Sequence, residues 1–340
     1  MITLYRPSGY DSPRASSFAG RSVDDKPLDA ENGSSFKEID TGRVFRYDKE
    51  NNLWIEQKST TGGAGATEPY IEETYDADGN LIGAKMYGYT KIRNFVFFGC
   101  TSLAHVSFSE GITSIGEGAF GSCTNLALTS LPAGLTSIGS NAFAICTNLA
   151  LTSLPESLTS IGDGAFVNCS NLALTSLPEG LTSIGRDVFS DCTSLALTSL
   201  PAGVTSIGDG AFVNCSNLAL TSLPEGLTSI GRDVFSNCTS LALTSLPEGL
   251  TSIGNYTFEG CTSLALTSLP ESLTSIGKYA FVNCTNLTSI TFKGTPTIIE
   301  SSAFDGCTNL TDIKVPWAKG AVSGAPWGAT NATITYNYTE

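Results

Sequence analysis

Between residues 90 and 316, apolar and polar positions recur every 23 residues. The cysteines mark the period: Cys100, Cys123, Cys146, Cys169, Cys192, Cys215, Cys238, Cys261, Cys284 and Cys307, with no insertion or deletion between them. Counting each Cys as position 0, Leu holds position 3 in all ten repeats, from Leu103 to Leu310. Position 8 is Leu from Leu131 to Leu269, with Phe108, Phe292 and Val315 near the ends. Position 12 is mostly Leu (Leu135, Leu158, Leu181), position 15 is Ile from Ile115 to Ile299, and position 20 is Phe from Phe120 to Phe304. A fixed period of this length predicts stacked coils whose equivalent positions form core ladders; no single coil can bury its apolar face alone. Pro at position 9 (Pro132, Pro155, Pro178) ends a short strand, because it has no N–H to give to a ladder. Gly at position 16 (Gly116 to Gly277) marks the return, and Ala-Phe-x-x-Cys predicts a short helical or 3₁₀ turn on the opposite side.

The strand pattern is not uniform. The outer coils place apolar residues at positions 3, 6 and 8, as in Leu103, Val106, Phe108 and Leu287, Ile290, Phe292. The seven inner coils read Leu-Ala-Leu-Thr-Ser-Leu, with Leu at position 5 and Thr at position 6. In an unchanged register, Leu128, Leu151, Leu174, Leu197, Leu220, Leu243 and Leu266 form an apolar contact stripe on the outer face of the sheet. The alternative is a local bulge that turns these leucines inward and the threonines outward. Residues 167–190 and 213–236 are identical over 24 positions. Such recent duplication makes coil number free to change, which suits a reach or a display surface better than a fixed active site.

The coil Leu-Thr-Ser-Ile-Gly-x-x-Ala-Phe-x-x-Cys-x-x-Leu resembles the BspA-like, or treponemal-type, leucine-rich repeat. The resemblance implies a curved α/β solenoid with a parallel sheet on one face and short helical or 3₁₀ turns on the other, used for adhesion or recognition rather than chemistry. The expected fold is a right-handed leucine-rich-repeat solenoid of about ten coils over residues 90–315, roughly 45–50 Å long at the strand spacing.

The flanks divide the rest. Residues 1–35 lack periodicity and read as an extended arm, and alternation through Phe36, Ile39, Val44, Tyr47 and Trp54 around a turn at residues 49–52 predicts a β-hairpin. The pattern Phe-x-x-Ile-Asp-Thr-Gly, then Tyr47-Asp48 and Trp54, resembles a module at the start of bacteriophage and prophage structural proteins, which implies that residues 1–57 attach to a virion. Residues 58–68 form a Gly-rich linker, and 69–89 a second hairpin that covers the first coil. Its turn at residues 76–80 lacks the ligand spacing of a calcium loop. In the 316–340 cap, which resembles the C-terminal caps of phage repeat proteins, Trp317 and Trp327 are expected to lid the open core, with sugar stacking as the alternative role.

Composition narrows the chemistry. A net charge of −14 argues against nucleic acid and anionic membrane surfaces as partners. No apolar run approaches the length of a membrane span, and residues 1–7 lack the order of a secretion signal, so the chain is expected to be made in the cytoplasm and to stay reduced unless something other than a signal exports it; the expected final location is the virion, with the bacterial cell surface as the alternative. Cysteines one coil apart point the same way instead of at each other, so they are read as free thiols that fill the core, not as disulfides. No CxxC or clustered Cys/His spacing offers a metal site. His105 is the sole histidine and is expected to face outward, away from the cysteines. The glutamates at position 10 (Glu156, Glu179, Glu225, Glu248, Glu271) form a solvated column, and Arg186-Asp187 and Arg232-Asp233 read as surface ion pairs, with decoration of a binding face as the alternative. No catalytic residue, cofactor site or metal site is expected, nor any enzyme activity.

The leading functional expectation is a virion protein, a head fibre, decoration or tail-associated fibre. Its N-terminal segment contacts other virion proteins, and its solenoid contacts the host surface or a carbohydrate or protein ligand. Homo-oligomerisation is expected, because virion attachments follow the symmetry of the particle and the Leu stripe offers a surface to pair subunits. The alternative is a bacterial cell-surface adhesin built on the same repeat; a third reading, a cytoplasmic interaction scaffold, is disfavoured by the phage-like hairpin.

Overall fold

A computed structural model describes residues 69–339, together with the backbone of five strands between residues 3 and 57. Ten two-residue strands at positions 14 and 15, from Lys91–Ile92 through Ser114–Ile115 to Ile298–Ile299, stack one per coil. They pair parallel in three runs, with Ser114 opposite Ser137 and Ile115 opposite Ile138. Gly at position 16 allows this close stacking. A Cβ on Gly162 would sit 2.5 Å from the Ser140 amide nitrogen, and one on Gly208 2.6 Å from that of Arg186.

The position-5 leucines do not form an outer stripe. Leu128 to Leu266 are all buried, five of them fully, while Thr129, Thr152, Thr175, Thr198, Thr221, Thr244 and Thr267 at position 6 are exposed. The structure adopts the bulged alternative. Outer coils turn positions 3, 6 and 8 inward; inner coils turn 3, 5 and 8 inward, so the extra outward residue moves from before the middle apolar side chain to after it. The cause is the hydrophobic effect: burying Leu in place of Thr is favourable by about 2 kcal/mol per coil. The backbone consequence is that the strand at positions 5 to 8 survives only near the ends, as His105–Ser107, Ser268–Leu269, Ser289–Phe292 and Asp312–Lys314. Homo-oligomerisation through the leucines loses its basis with the stripe.

The Ala-Phe-x-x-Cys wall differs from expectation too. No helix occurs among the described residues. Positions 18 and 22 carry positive φ, as in Asn141 (54°), Asp187 (52°), Asn168 (60°) and Asp191 (62°), and a helix cannot pass through left-handed residues. Amide donation therefore alternates. Phe143 and Ile145 give their N–H to Ala165 and Val167 of the next coil at 2.8 Å, whereas Ala144 and Cys146 close turns onto Asn141 and Phe143 at 3.1 Å. Each such coil is thus bonded to its neighbour through this wall, and within each of the three runs through the two-residue rung as well.

Inside lies one continuous core. Ten phenylalanines from Phe97 to Phe304 stack with neighbouring ring centres 5.0–5.7 Å apart and planes within 18° of parallel. At the C-terminal end Phe292 packs edge-on to Phe304 and to Trp317, and Trp317 and Trp327 are both buried. With no ring face open, neither indole offers a stacking surface for a sugar.

At the N-terminal end a sheet runs Leu53–Gln57, Val44–Asp48, Ser35–Glu38, Ser17–Gly20, Thr3–Pro7, Tyr70–Tyr75, Leu81–Tyr87 and finally His105–Ser107 of the first coil. Val44–Asp48 and Leu53–Gln57 pair antiparallel, and the segment read as an arm contributes Thr3–Pro7 and Ser17–Gly20. The turn at 49–52 and the 58–68 linker lie outside the described residues. Leu81–Tyr87 pairs parallel with His105–Ser107 and so continues the coil stack by one rung. Asp76 closes the preceding turn, its Oδ1 accepting the amides of Asp78 (3.0 Å) and Asn80 (2.8 Å).

Candidate recognition surface

The groups with the most intrinsic reactivity face inward. The nine cysteines from Cys123 to Cys307 are buried free thiols, and Cys100 is half-buried. Each thiol from Cys123 to Cys307 donates to the Phe carbonyl 26 residues earlier, at 3.0–3.1 Å. The same carbonyl takes a Cys amide of its own coil: that of Phe120 accepts Cys123 N–H at 3.0 Å and the Cys146 thiol at 3.1 Å. A small apolar side chain with one weak donor fits this place, and cysteine supplies it. Burial pushes the Cys146 and Cys307 thiols up to about 12. The same desolvation raises Cys123, Cys192 and Cys261 further, and lifts Cys169, Cys215, Cys238 and Cys284 well above the ordinary thiol range. Such thiols hold their protons at neutral pH and provide no nucleophile. His105 is exposed, beside a depression of about 440 Å³ between residues 105–108 and 127–132, and its side chain makes no hydrogen bond or ion pair among the described residues. Among those residues no group of three or more His, Cys, Asp or Glu side chains could hold a metal ion.

What faces outward is a lattice of small polar side chains. Thr at position 13 is exposed in each coil from Thr113 to Thr297 and in most donates its Oγ1 to the Thr carbonyl one coil back, for example Thr136 to Thr113 and Thr274 to Thr251, both at 2.9 Å. The inner coils add exposed Thr-Ser pairs at positions 6 and 7, from Thr129-Ser130 to Thr244-Ser245. At position 4 an amide still reaches the previous coil, as Ala173 does to the Leu151 carbonyl at 3.1 Å. From there to the position-13 amide, no backbone hydrogen bond joins one inner coil to the next among the described residues up to Leu246. This face therefore presents main-chain polar groups along with the hydroxyls. The glutamates at position 10 line its edge, and Glu248 pairs with Lys293 at 2.7 Å.

The turn wall carries the charge. Asp163 Oδ1 accepts the Arg186 amide and Asp209 Oδ1 the Arg232 amide, each at 2.8 Å. A notch of about 530 Å³ lies on this wall at Gly210, lined also by Arg186, Asp187, Asp209, Val213, Arg232, Asp233 and Ser236, with the Asp187 carboxylate occupying the space where a Gly210 side chain would stand. Partial burial, together with nearby carboxylates, raises the Asp187 and Asp233 carboxyls, against the lowering effect of Arg186 and Arg232. The expected Arg186-Asp187 and Arg232-Asp233 pairs do not form: neither guanidinium makes an ion pair among the described residues. The sequence reading missed this notch and the thiol–carbonyl ladder. The available signal for the wall was the recurrence of Gly99, Asn168, Asp191, Asn214, Asn237, Gly260, Asn283 and Gly306 at position 22, residue types that tolerate positive φ.

A family comparison matches six copies of the BspA type leucine-rich repeat region over residues 87–196 and 205–319. Among solved structures, the chain is similar to a leucine-rich cell surface protein of Faecalibacterium prausnitzii (21% identity, 93% of this chain, 96% of the other, TM-score 0.37). It is also similar to leucine-rich repeat proteins of Eubacterium ventriosum (19%, 78% and 82%, TM-score 0.47) and T. pallidum (27%, 64% and 87%, TM-score 0.31). No curated protein matches. The family match runs from residue 87 to 319, so it leaves unmatched the N-terminal segment and most of the C-terminal cap, on which the virion resemblance rests. The chain belongs to the BspA type leucine-rich repeat family.

Proposed function

We propose that this protein is a bacterial cell-surface adhesin, a recognition scaffold that performs no chemistry of its own. The observation that carries this reading is the contrast between its interior and its surface. Thiols are walled into the core and hydrogen-bonded there, while Thr and Ser hydroxyls are held outward at one fixed spacing over the length of the solenoid. Membership of the BspA type leucine-rich repeat family, whose resemblance implies adhesion or recognition, supports it. The virion reading is set below it, because its support is confined to the pattern between Phe36 and Trp54 and to the likeness of the C-terminal cap.

Labelling of intact cells that express the protein, with antibody raised against the solenoid, tests the proposal alongside mass spectrometry of purified phage particles. Surface labelling with no peptide in virions is expected. Peptides in virions with unlabelled cells would overturn it in favour of the virion protein.

A further inference from the structure

Along the turn wall, position 17 of four successive coils reads Asp163, Arg186, Asp209, Arg232, and all four side chains are exposed. The column alternates in sign over about 14 Å, three coil spacings. Position 18 alternates in size over the same coils: Gly164, Asp187, Gly210, Asp233. A coil with a charged Arg therefore follows a coil with glycine at position 18, twice over.

A column that reads minus, plus, minus, plus is self-complementary under a twofold axis through its midpoint. Reversal sets Asp163 against the partner's Arg232 and Arg186 against the partner's Asp209, with the two remaining contacts supplied by symmetry. Shape follows charge. Each Arg of one copy then meets a glycine coil of the other; the notch beside Gly210 is lined by the carboxylates of Asp187, Asp209 and Asp233, which outnumber the guanidiniums of Arg186 and Arg232 that also line it. We infer that two copies of this chain pair antiparallel through this wall, Arg186 of each facing Asp209 at the Gly210 notch of the other and Arg232 of each facing Asp163 of the other.

Two observations favour a second copy as the occupant. The guanidiniums have no ion-pair partner within the described part of their own chain. The Asp187 and Asp233 carboxyls are raised by partial burial and by neighbouring carboxylates, a crowding that an incoming cation would relieve. A side-by-side parallel arrangement in the same register would set like charges together. Exposed ion pairs are individually weak, so the dimer is expected to be concentration-dependent and to loosen with salt. Pairing through the turn wall leaves the Thr-Ser face open for the ligand.

Sedimentation velocity on the full chain tests this directly. The wild type is expected to dimerise at low salt and to dissociate as salt rises. R186D/R232D should be monomeric. D163N/D209N keeps the Oδ1 acceptors that hold the next coil's amides and removes only charge; its dissociation constant should rise about tenfold or more. Circular dichroism checks that both variants stay folded. A wild type that remains monomeric at low salt, or either folded variant dimerising as tightly as the wild type, would overturn the proposal.

Discussion

The inner coils and the coils near the C-terminal end bury equivalent apolar sets but join their neighbours differently. Near the end, the Thr291 and Lys293 amides bond to the Thr267 and Leu269 carbonyls at 2.9 and 3.1 Å, and a regular strand results. In an inner coil, Leu197 turns inward, Thr198 and Ser199 turn out, and the strand is lost. Both arrangements sit on the same Phe ladder, the same thiol–carbonyl bonds and the same two-residue rung at positions 14 and 15. The difference teaches that two walls and a packed core hold a coil in register, while the third wall is free to exchange main-chain bonds for a better-buried leucine.

Substitutions of decreasing effect probe that contrast. Phe189→Ala removes a fully buried ring stacked between Phe166 and Phe212, and should cost about 3–5 kcal/mol in chemical denaturation. Leu197→Ala should cost about 2–5 kcal/mol by the same measurement, because the side chain is fully buried; a near-zero cost would restore the outer stripe. The thiols add a pH dependence. The Cys146 thiol, for one, is raised from 9.0 to about 12 in the folded state, so folding resists an ionisation that the unfolded chain undergoes. Its contribution is intact below about pH 9 and is lost as pH rises toward 12, at up to about 1.4 kcal/mol per pH unit; denaturation midpoints across that range read it. Thr198→Ala, on an exposed hydroxyl in the same coil as Leu197, should stay within about 0.5 kcal/mol of wild type by the same assay.

The ladders were legible because Leu, Ile, Phe and Cys recur without a shift, and a stacked solenoid is the structure that buries such a pattern. The direction of Leu197 was not. Leu-Ala-Leu-Thr-Ser-Leu alternates from its first residue through Leu197 and fails at Ser199, so the pattern fits two registers, and only the competition between burial and strand pairing separates them. The turn wall was misread as helical because Phe95, Ile145, Tyr256 and Tyr279 occupy positive-φ positions that ordinarily take Gly or Asn, which masks the signal. The charge column was visible as letters, but the notch at Gly210 is lined by Asp187, Asp209 and Asp233 from stacked coils, and that juxtaposition is a property of the stack.

Native-state hydrogen exchange, resolved by residue, tests the central claim most directly: inner coils keep a closed core while giving up the strand on one wall. The Phe189 and Asp191 amides, bonded to the next coil at 2.9 and 2.8 Å, should exchange only with global opening, and so should Thr291. The Thr198 and Ser199 amides, with no intercoil bond among the described residues, should exchange fast although Leu197 beside them is buried. Protection of Thr198 and Ser199 equal to that of Thr291 would contradict the account.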